Sequence, residues 1–243
     1  MLNTEFSPWP SFSVEEQDAV REVLASNRVN YWTGTETREF EKEFAAWSDS
    51  GHAVAVANGT LALDLALKAL EIGPGDEVIV TPRNADIAVI EDCAQAHGAK
   101  INGKSVGSFG DIGAWSFCQD KIMTTGGEGG MTTTDDHDLW SRMWSYKDHG
   151  KSYSAVYERE HPPGFRWLHE SVGTNWRMLE MQAVIGRLQI AKMAEWTVAR
   201  TRNATLIMEA LRPFSDLLHL PVPAEEMTHA YYRFYAYVRP DRL

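Results

Sequence analysis

Residues 53–76 read AVAVANGTLALDLALKALEIGPGD, and no other stretch constrains the fold as much. The alternating valine and alanine of AVAVA fit a short buried strand, and Asn58-Gly-Thr60 supplies a turn and a helix cap. LALDLALKAL then carries enough apolar residues for a helix packed against a sheet. Gly73-Pro-Gly-Asp76 turns the chain into a second apolar run, EVIV. Strand, helix, strand in that order is the grammar of an α/β fold.

The remaining pattern extends this reading. Ser13-Val-Glu-Glu16 is a capping box that predicts a helix running to about Ala25. In EFEKEFAAW, Phe40, Phe44 and Trp47 recur at helical spacing, which predicts a second amphipathic helix. The apolar runs IAVIED and GAWSF fit buried strands, and Gly130-Met-Thr-Thr-Thr fits another. From Arg177 to Leu211 the pattern is helical throughout, long enough for a bend to be expected. At 243 residues the chain suits one large domain or a domain and a half, because single cores stop growing at about 250–300 residues.

One junction breaks the pattern. EVIV and IAVIED are separated by only Thr81-Pro-Arg-Asn-Ala-Asp86, whereas parallel neighbours need a crossover of roughly a dozen residues. Either the two runs form an antiparallel hairpin, or they are not neighbours and a segment is missing between them. The second alternative is the expectation carried forward.

Composition excludes several classes of function. A formal charge of −11 disfavours non-specific nucleic-acid binding, which needs clustered Lys and Arg. No segment approaches the ~20 apolar residues that span a bilayer, and MLNTEFSPWPSF lacks the layout of a signal peptide. With Cys93 and Cys118 the only cysteines, a reducing cytoplasm is the expected compartment. Neither HExxH nor CxxC occurs, so His149, His161 and His169 predict no metal site. Trp140, Trp144 and Trp176 read as core or interface, and Met178, Met181 and Ile185 as packing residues. Arg177 reads equally as a solvated charge or as a group facing an anionic substrate, and Asn30, Tyr31 and Trp32 equally as pocket lining or as ordinary loop.

Four features carry chemistry. Asn58-Gly-Thr60 enters a helix whose free amides and dipole attract an anion. Asp92 ends an apolar run, where α/β sheets gather their ligands, and Gln95 lies close enough to share one. Ser116 closes GAWSF and could donate to a phosphate; Lys121 follows five residues later, before glycines at 126, 127, 129 and 130. Those glycines suggest close backbone approach or positive φ, but they match no dinucleotide or P-loop motif. An anion cradle, a carboxylate and a lysine are together what pyridoxal phosphate requires, for its phosphate, its ring nitrogen and its aldehyde.

The sequence resembles the DegT/DnrJ/EryC1/StrS family of sugar aminotransferases. The resemblance rests on Tyr31-Trp-Thr-Gly34 before REFEKEFA, HAVAVANGTLALDLAL, GPGDEVIVTP, VIEDCAQAHGA, SFCQDK with GGEGG, and GTNWRMLEMQAVIGRLQI. It implies a three-layer αβα fold type I aminotransferase large domain over residues 1–200 and the start of a small C-terminal domain over 201–243. It also implies that an internal segment near 82–86 and most of the small domain are lacking.

By the same resemblance the cofactor is pyridoxal 5′-phosphate. Gly59, Thr60 and Ser116 would meet its phosphate, Asp92 its pyridine nitrogen and Gln95 its phenolic oxygen side, and Lys121 would be its Schiff-base lysine. Asn175 would reach the phosphate of the partner subunit's cofactor in a homodimer with shared active sites. The implied substrates are an amino-acid donor, glutamate, and a nucleotide-linked keto sugar. The family's dehydratases carry histidine in place of this lysine, so Lys121 argues against that branch. The short junction leaves one alternative, a non-catalytic truncated relative acting as a binding or assembly partner.

Overall fold

The computed structural model describes residues 8–78 and 87–242. Helix α1 (Val14–Ala25) opens with the expected capping box: the Ser13 hydroxyl accepts from the Glu16 amide at 3.3 Å, and Glu16 accepts from the Ser13 amide at 2.6 Å. Helix α2 (Glu36–Trp47), strand β1 (His52–Val56) and helix α3 (Gly59–Ala69) follow as the pattern predicts. Next come β2 (Ile90–Asp92), the two-residue strands β3 (Lys100–Ile101) and β4 (Lys104–Ser105), β5 (Ile112–Ser116) and β6 (Gly130–Thr134). Helices α4 (His137–Lys147), α5 (Tyr153–Tyr157) and α6 (Glu180–Leu211) lead to β7 (Leu218–His219), β8 (Met227–Thr228) and β9 (Tyr237–Val238).

The main sheet has the order β1-β6-β5-β2, with β6 antiparallel to both neighbours and β2 parallel to β5. Alternate residues of its strands enter two separate cores. Ala53, Ala55, Trp115 and Met131 pack with Phe40 and Phe44 of α2 and Ala183 and Met193 of α6. Val54, Val56, Ile112 and Ala114 pack with Leu65 of α3 and Met143 and Trp144 of α4. This period-two sorting makes the three αβα layers: α2 and α6 cover one face, α3 and α4 the other.

Several expectations need correction. Glu77 and Val78 are not in a strand, and Ile79 to Asp86, including the rest of EVIV and the junction, lie outside the described residues. IAVIED contributes only the three residues of β2, which are half-buried to exposed rather than buried, because β2 pairs with β5 alone among the described residues. Helix α6 starts at Glu180 and not at Arg177. Arg177 instead forms an antiparallel bridge with Val56 and donates to the buried Asp148, so its guanidinium serves the fold. Trp32 Nε1 donates to the same carboxylate at 2.7 Å, and Tyr31 is buried.

Met178 and Ile185 are buried, and Trp144 is core. The division expected at residue 200 falls inside α6. Beyond that helix, β8 joins β3 and β4 in a small sheet, and β7 pairs with β9. No described helix is long and apolar enough to cross a membrane.

Candidate active site

Strand directions gather the chemistry at one edge of the sheet. β1, β5 and β2 all point the same way, so Asn58, Ser116 and Asp92 stand at or just beyond their carboxyl ends. The β5–β6 connection, residues 117–129, leaves from that edge and carries Lys121. A cavity of about 390 Å³ opens there, lined by Gly59, Thr60, Asp92, Ser116 and Lys121 among others. Five of the seven expected site residues therefore share one space.

The anion end is built by the start of α3. The Asn58 side chain accepts from the Leu61 amide at 3.0 Å, and the Asn58 carbonyl accepts from the Ala62 amide at 3.2 Å. A helix cannot itself satisfy its first amides, so those of Gly59 and Thr60 remain for a ligand at the positive end of the dipole. Ser116 closes the cradle. Its hydroxyl accepts from the Cys118 amide at a long 3.4 Å, which leaves its own proton free to donate.

Asp92 caps its own turn, accepting from the Ala94 amide at 3.1 Å, and its remaining lone pairs are available to the cavity. Lys121 lies 3.3 Å from Asp120 Oδ2 and 5.5 Å from the centre of the Tyr232 ring. Tyr232 donates to the same Asp120 oxygen at 2.7 Å. That hydrogen bond above all, and then the Lys121 ammonium, hold the Asp120 carboxyl below its ordinary range, against the opposing effect of burial. The amine is thus kept beside an anion and an aromatic face, with its side chain only 15% exposed.

Two expected residues lie elsewhere. Gln95 is exposed in the turn after β2, where Ala96 donates to the Cys93 carbonyl, and it does not line the cavity. Asn175 is exposed too; its backbone bridges Asp148, away from this chain's own cavity. Asp120 and Tyr232 were missed by sequence reasoning. Asp120 could have been noticed beside Lys121, but Tyr232 lies 112 positions from its partner and gives no local signal.

A donor cradle at a helix start, an acid and a lysine meet on the carboxyl edge of an αβα sheet, and the sheet has the architecture of the fold type I aminotransferases. The chain belongs to the DegT/DnrJ/EryC1/StrS aminotransferase family, whose model matches residues 10–85 and 82–242. It is 33% identical to UDP-N-acetyl-3-dehydro-alpha-D-glucosamine 3-aminotransferase of Acidithiobacillus ferrooxidans, over 85% of this chain and 69% of that enzyme. With GDP-perosamine synthase of Caulobacter vibrioides it shares 30% identity, over 93% of this chain and 75% of the synthase. The crystal structure of an aminotransferase from Psychrobacter cryohalolentis superposes with a TM-score of 0.92 at 50% identity, over 98% of this chain and 78% of that one.

The alignment with the Caulobacter synthase runs over 289 positions, more than the 243 residues available here, so part of the relative stands opposite a gap. The family match divides at the short junction. The family's cofactor is pyridoxal 5′-phosphate, and the donor set fits it: amides and hydroxyls for a phosphate, a carboxylate for a ring nitrogen, an amine for an aldehyde.

Proposed function

We propose that this chain transfers an amino group from an amino acid, glutamate, to the ketone of a nucleotide-linked sugar. The observation that carries the reading is the convergence of Gly59, Thr60, Ser116, Asp92 and Lys121 on one cavity. Pyridoxal phosphate, when bound, supplies the electron sink that lets a proton leave the donor's α carbon.

The chain's own residues do the rest. The amides of Gly59 and Thr60 and the hydroxyls of Thr60 and Ser116 anchor the phosphate. Asp92 keeps the ring nitrogen protonated by pairing with its positive charge. Lys121 would hold the cofactor by its aldehyde, and its amine, when free, would move a proton at the donor's α carbon. Gln95 would approach the phenolic oxygen side of the ring. In a homodimer Asn175 would serve the neighbouring subunit's cofactor phosphate, in keeping with its place outside its own cavity. In this reading α6 connects the cofactor-binding domain to the start of the small domain.

The test is covalent. Purified chain incubated with pyridoxal phosphate should show a visible absorption band, and borohydride should fix the cofactor on Lys121, as read by peptide mass. Lys121→Ala should lose both. Absence of the adduct in the unaltered chain would refute the proposal.

A second reading, a non-catalytic truncated relative acting as a binding or assembly partner, is favoured by the division of the family match at the short junction. Intact mass of the natural product separates the two: a mass well above 27.3 kDa removes the support for that reading.

A further inference from the structure

The loop that carries Lys121 is held from outside. Gln182, Gln189 and Arg200 of α6 are spaced by about two and three helical turns and so form one stripe along the helix. Each reaches the loop's backbone. Gln182 Nε2 donates to the Glu128 carbonyl at 2.7 Å, Gln189 Oε1 accepts from the Thr124 amide at 2.9 Å, and Arg200 Nη2 donates to the Ile122 carbonyl at 3.4 Å.

Gln189 is itself oriented. Its Nε2 donates to Glu16 Oε1 at 3.0 Å, while the other Glu16 oxygen is fixed by the Ser13 amide. The capping carboxylate of α1 therefore decides which way the Gln189 amide faces, and its oxygen must point at Thr124. Thr124, Gln189 and Glu16 are 0%, 2% and 3% exposed. No water competes for these bonds, so losing one strands a buried polar group.

The loop is shaped to accept this grip. Gly126 and Gly127 take φ of 82° and 117°, where other residues are strained, and Thr124 Oγ1 ties Phe117 and Gly127 together.

We propose that Gln182, Gln189 and Arg200 are positioning residues that clasp the 117–129 loop and so place the Lys121 amine in the cavity, with Glu16 setting the amide of Gln189. The inference rests on the reading that Lys121 bonds the cofactor. It extends the reach of the site to the start of α1, about a hundred positions earlier in the chain.

Two variants test it. Gln189→Met removes both buried bonds. Gln182→Glu keeps the oxygen that accepts from the Leu179 amide at the start of α6 and replaces the donor to Glu128 by an oxygen that its carbonyl repels, so it preserves the fold should the first variant not fold. Hydrogen exchange is followed across residues 118–129 in the cofactor-free chain, and borohydride capture of pyridoxal phosphate on Lys121 is timed by mass. The clasp predicts exchange in the loop faster by roughly tenfold and capture slower by about the same factor, the scale of one lost hydrogen bond.

Unchanged exchange in both variants would overturn the clasp whatever the chemistry. Faster exchange with wild-type capture would overturn its positioning role. If the unaltered chain captures no cofactor, the functional reading fails and the positioning role with it, while exchange still decides whether the clasp exists.

Discussion

Gly59 lies so close to Ser116 that a Cβ built on it would stand 2.6 Å from the serine's Cβ and 3.0 Å from its backbone Cα. The contact brings the start of α3 against the end of β5 and makes one cradle from two elements distant in sequence. Gly59→Ala tests it. Alanine favours a helix by up to ~1 kcal/mol, but overpacking against backbone costs about 1–3 kcal/mol. The clash should win: the start of α3 shifts away from Ser116, and titration should show pyridoxal phosphate bound at least roughly tenfold more weakly. Wild-type affinity would mean that the two sides of the cradle act separately.

A second prediction concerns the core between α2 and α4. Lys147, with no exposed side chain, donates to Glu41 at 2.5 Å and lies 4.2 Å from the centre of the Tyr31 ring. Glu41 also accepts from the Tyr31 hydroxyl at 3.1 Å and the Ala55 amide at 2.9 Å. Burial, then the nearby Glu41 charge, push the Tyr31 hydroxyl well above its ordinary pKa, so it acts here only as a neutral donor. Removing one charge strands the other: Lys147→Met should cost about 3–5 kcal/mol in urea unfolding. Adding Glu41→Gln to that variant should recover a large part, because neither position of the pair then carries a charge.

What the sequence made legible was mainly what is local. Ser13 and Glu16 sit three residues apart and announce their helix, and Asn58-Gly-Thr60 announces the next. Valine and alanine alternating in β1 already contain the sorting between two cores. Ser116 and Lys121 belong to one strand and its following loop, so their nearness is almost covalent. Illegible were the contacts made across the fold. Glu180, Gln189 and Tyr232 meet partners more than sixty positions away, and their local patterns are those of ordinary helix or loop residues. Arg177 was undecidable for the same reason, since its partner Asp148 becomes its neighbour only when residues 175–177 line up beside the end of β1.

Glu180 is the clearest of these hidden roles. The first turn of α2 has no capping side chain of its own; instead Glu180, fully buried, accepts from the Glu36 and Thr37 amides and from the Thr37 hydroxyl at 2.6 Å. A carboxylate at a helix start also meets the favourable end of its dipole. Glu180→Ala should therefore destabilise the chain by about 2–3 kcal/mol, the range for charge-assisted bonds lost in a buried site. Glu180→Gln, which keeps an acceptor, should cost less. Equal losses in the two variants would show that packing rather than capping is the role.

The last prediction is a pH dependence centred on His97. Its ring lies 5.3 Å from Trp115 and 5.7 Å from Phe117, centre to centre, and neither ring nitrogen has a partner among the described residues. Burial, reinforced by the charges of Arg200 and Lys121, lowers its pKa to about 3. In the unfolded chain histidine titrates near ~6.5. Between those values the unfolded state takes up a proton that the folded state refuses. The stability contribution is therefore full above the unfolded value and declines as pH falls towards the folded one, by up to ~1.4 kcal/mol per pH unit. His52, also lowered by burial and by His137, adds to the same slope, so the difference between variant and wild type isolates His97. His97→Phe should flatten the decline between about pH 6.5 and 4.5 and leave stability at pH 7 equal or higher, because a phenyl ring suits two aromatic neighbours and carries no orphan nitrogens. Urea midpoints at three pH values decide it: a variant with the wild-type slope would mean that His97 takes up its proton in the folded chain as readily as in the unfolded one.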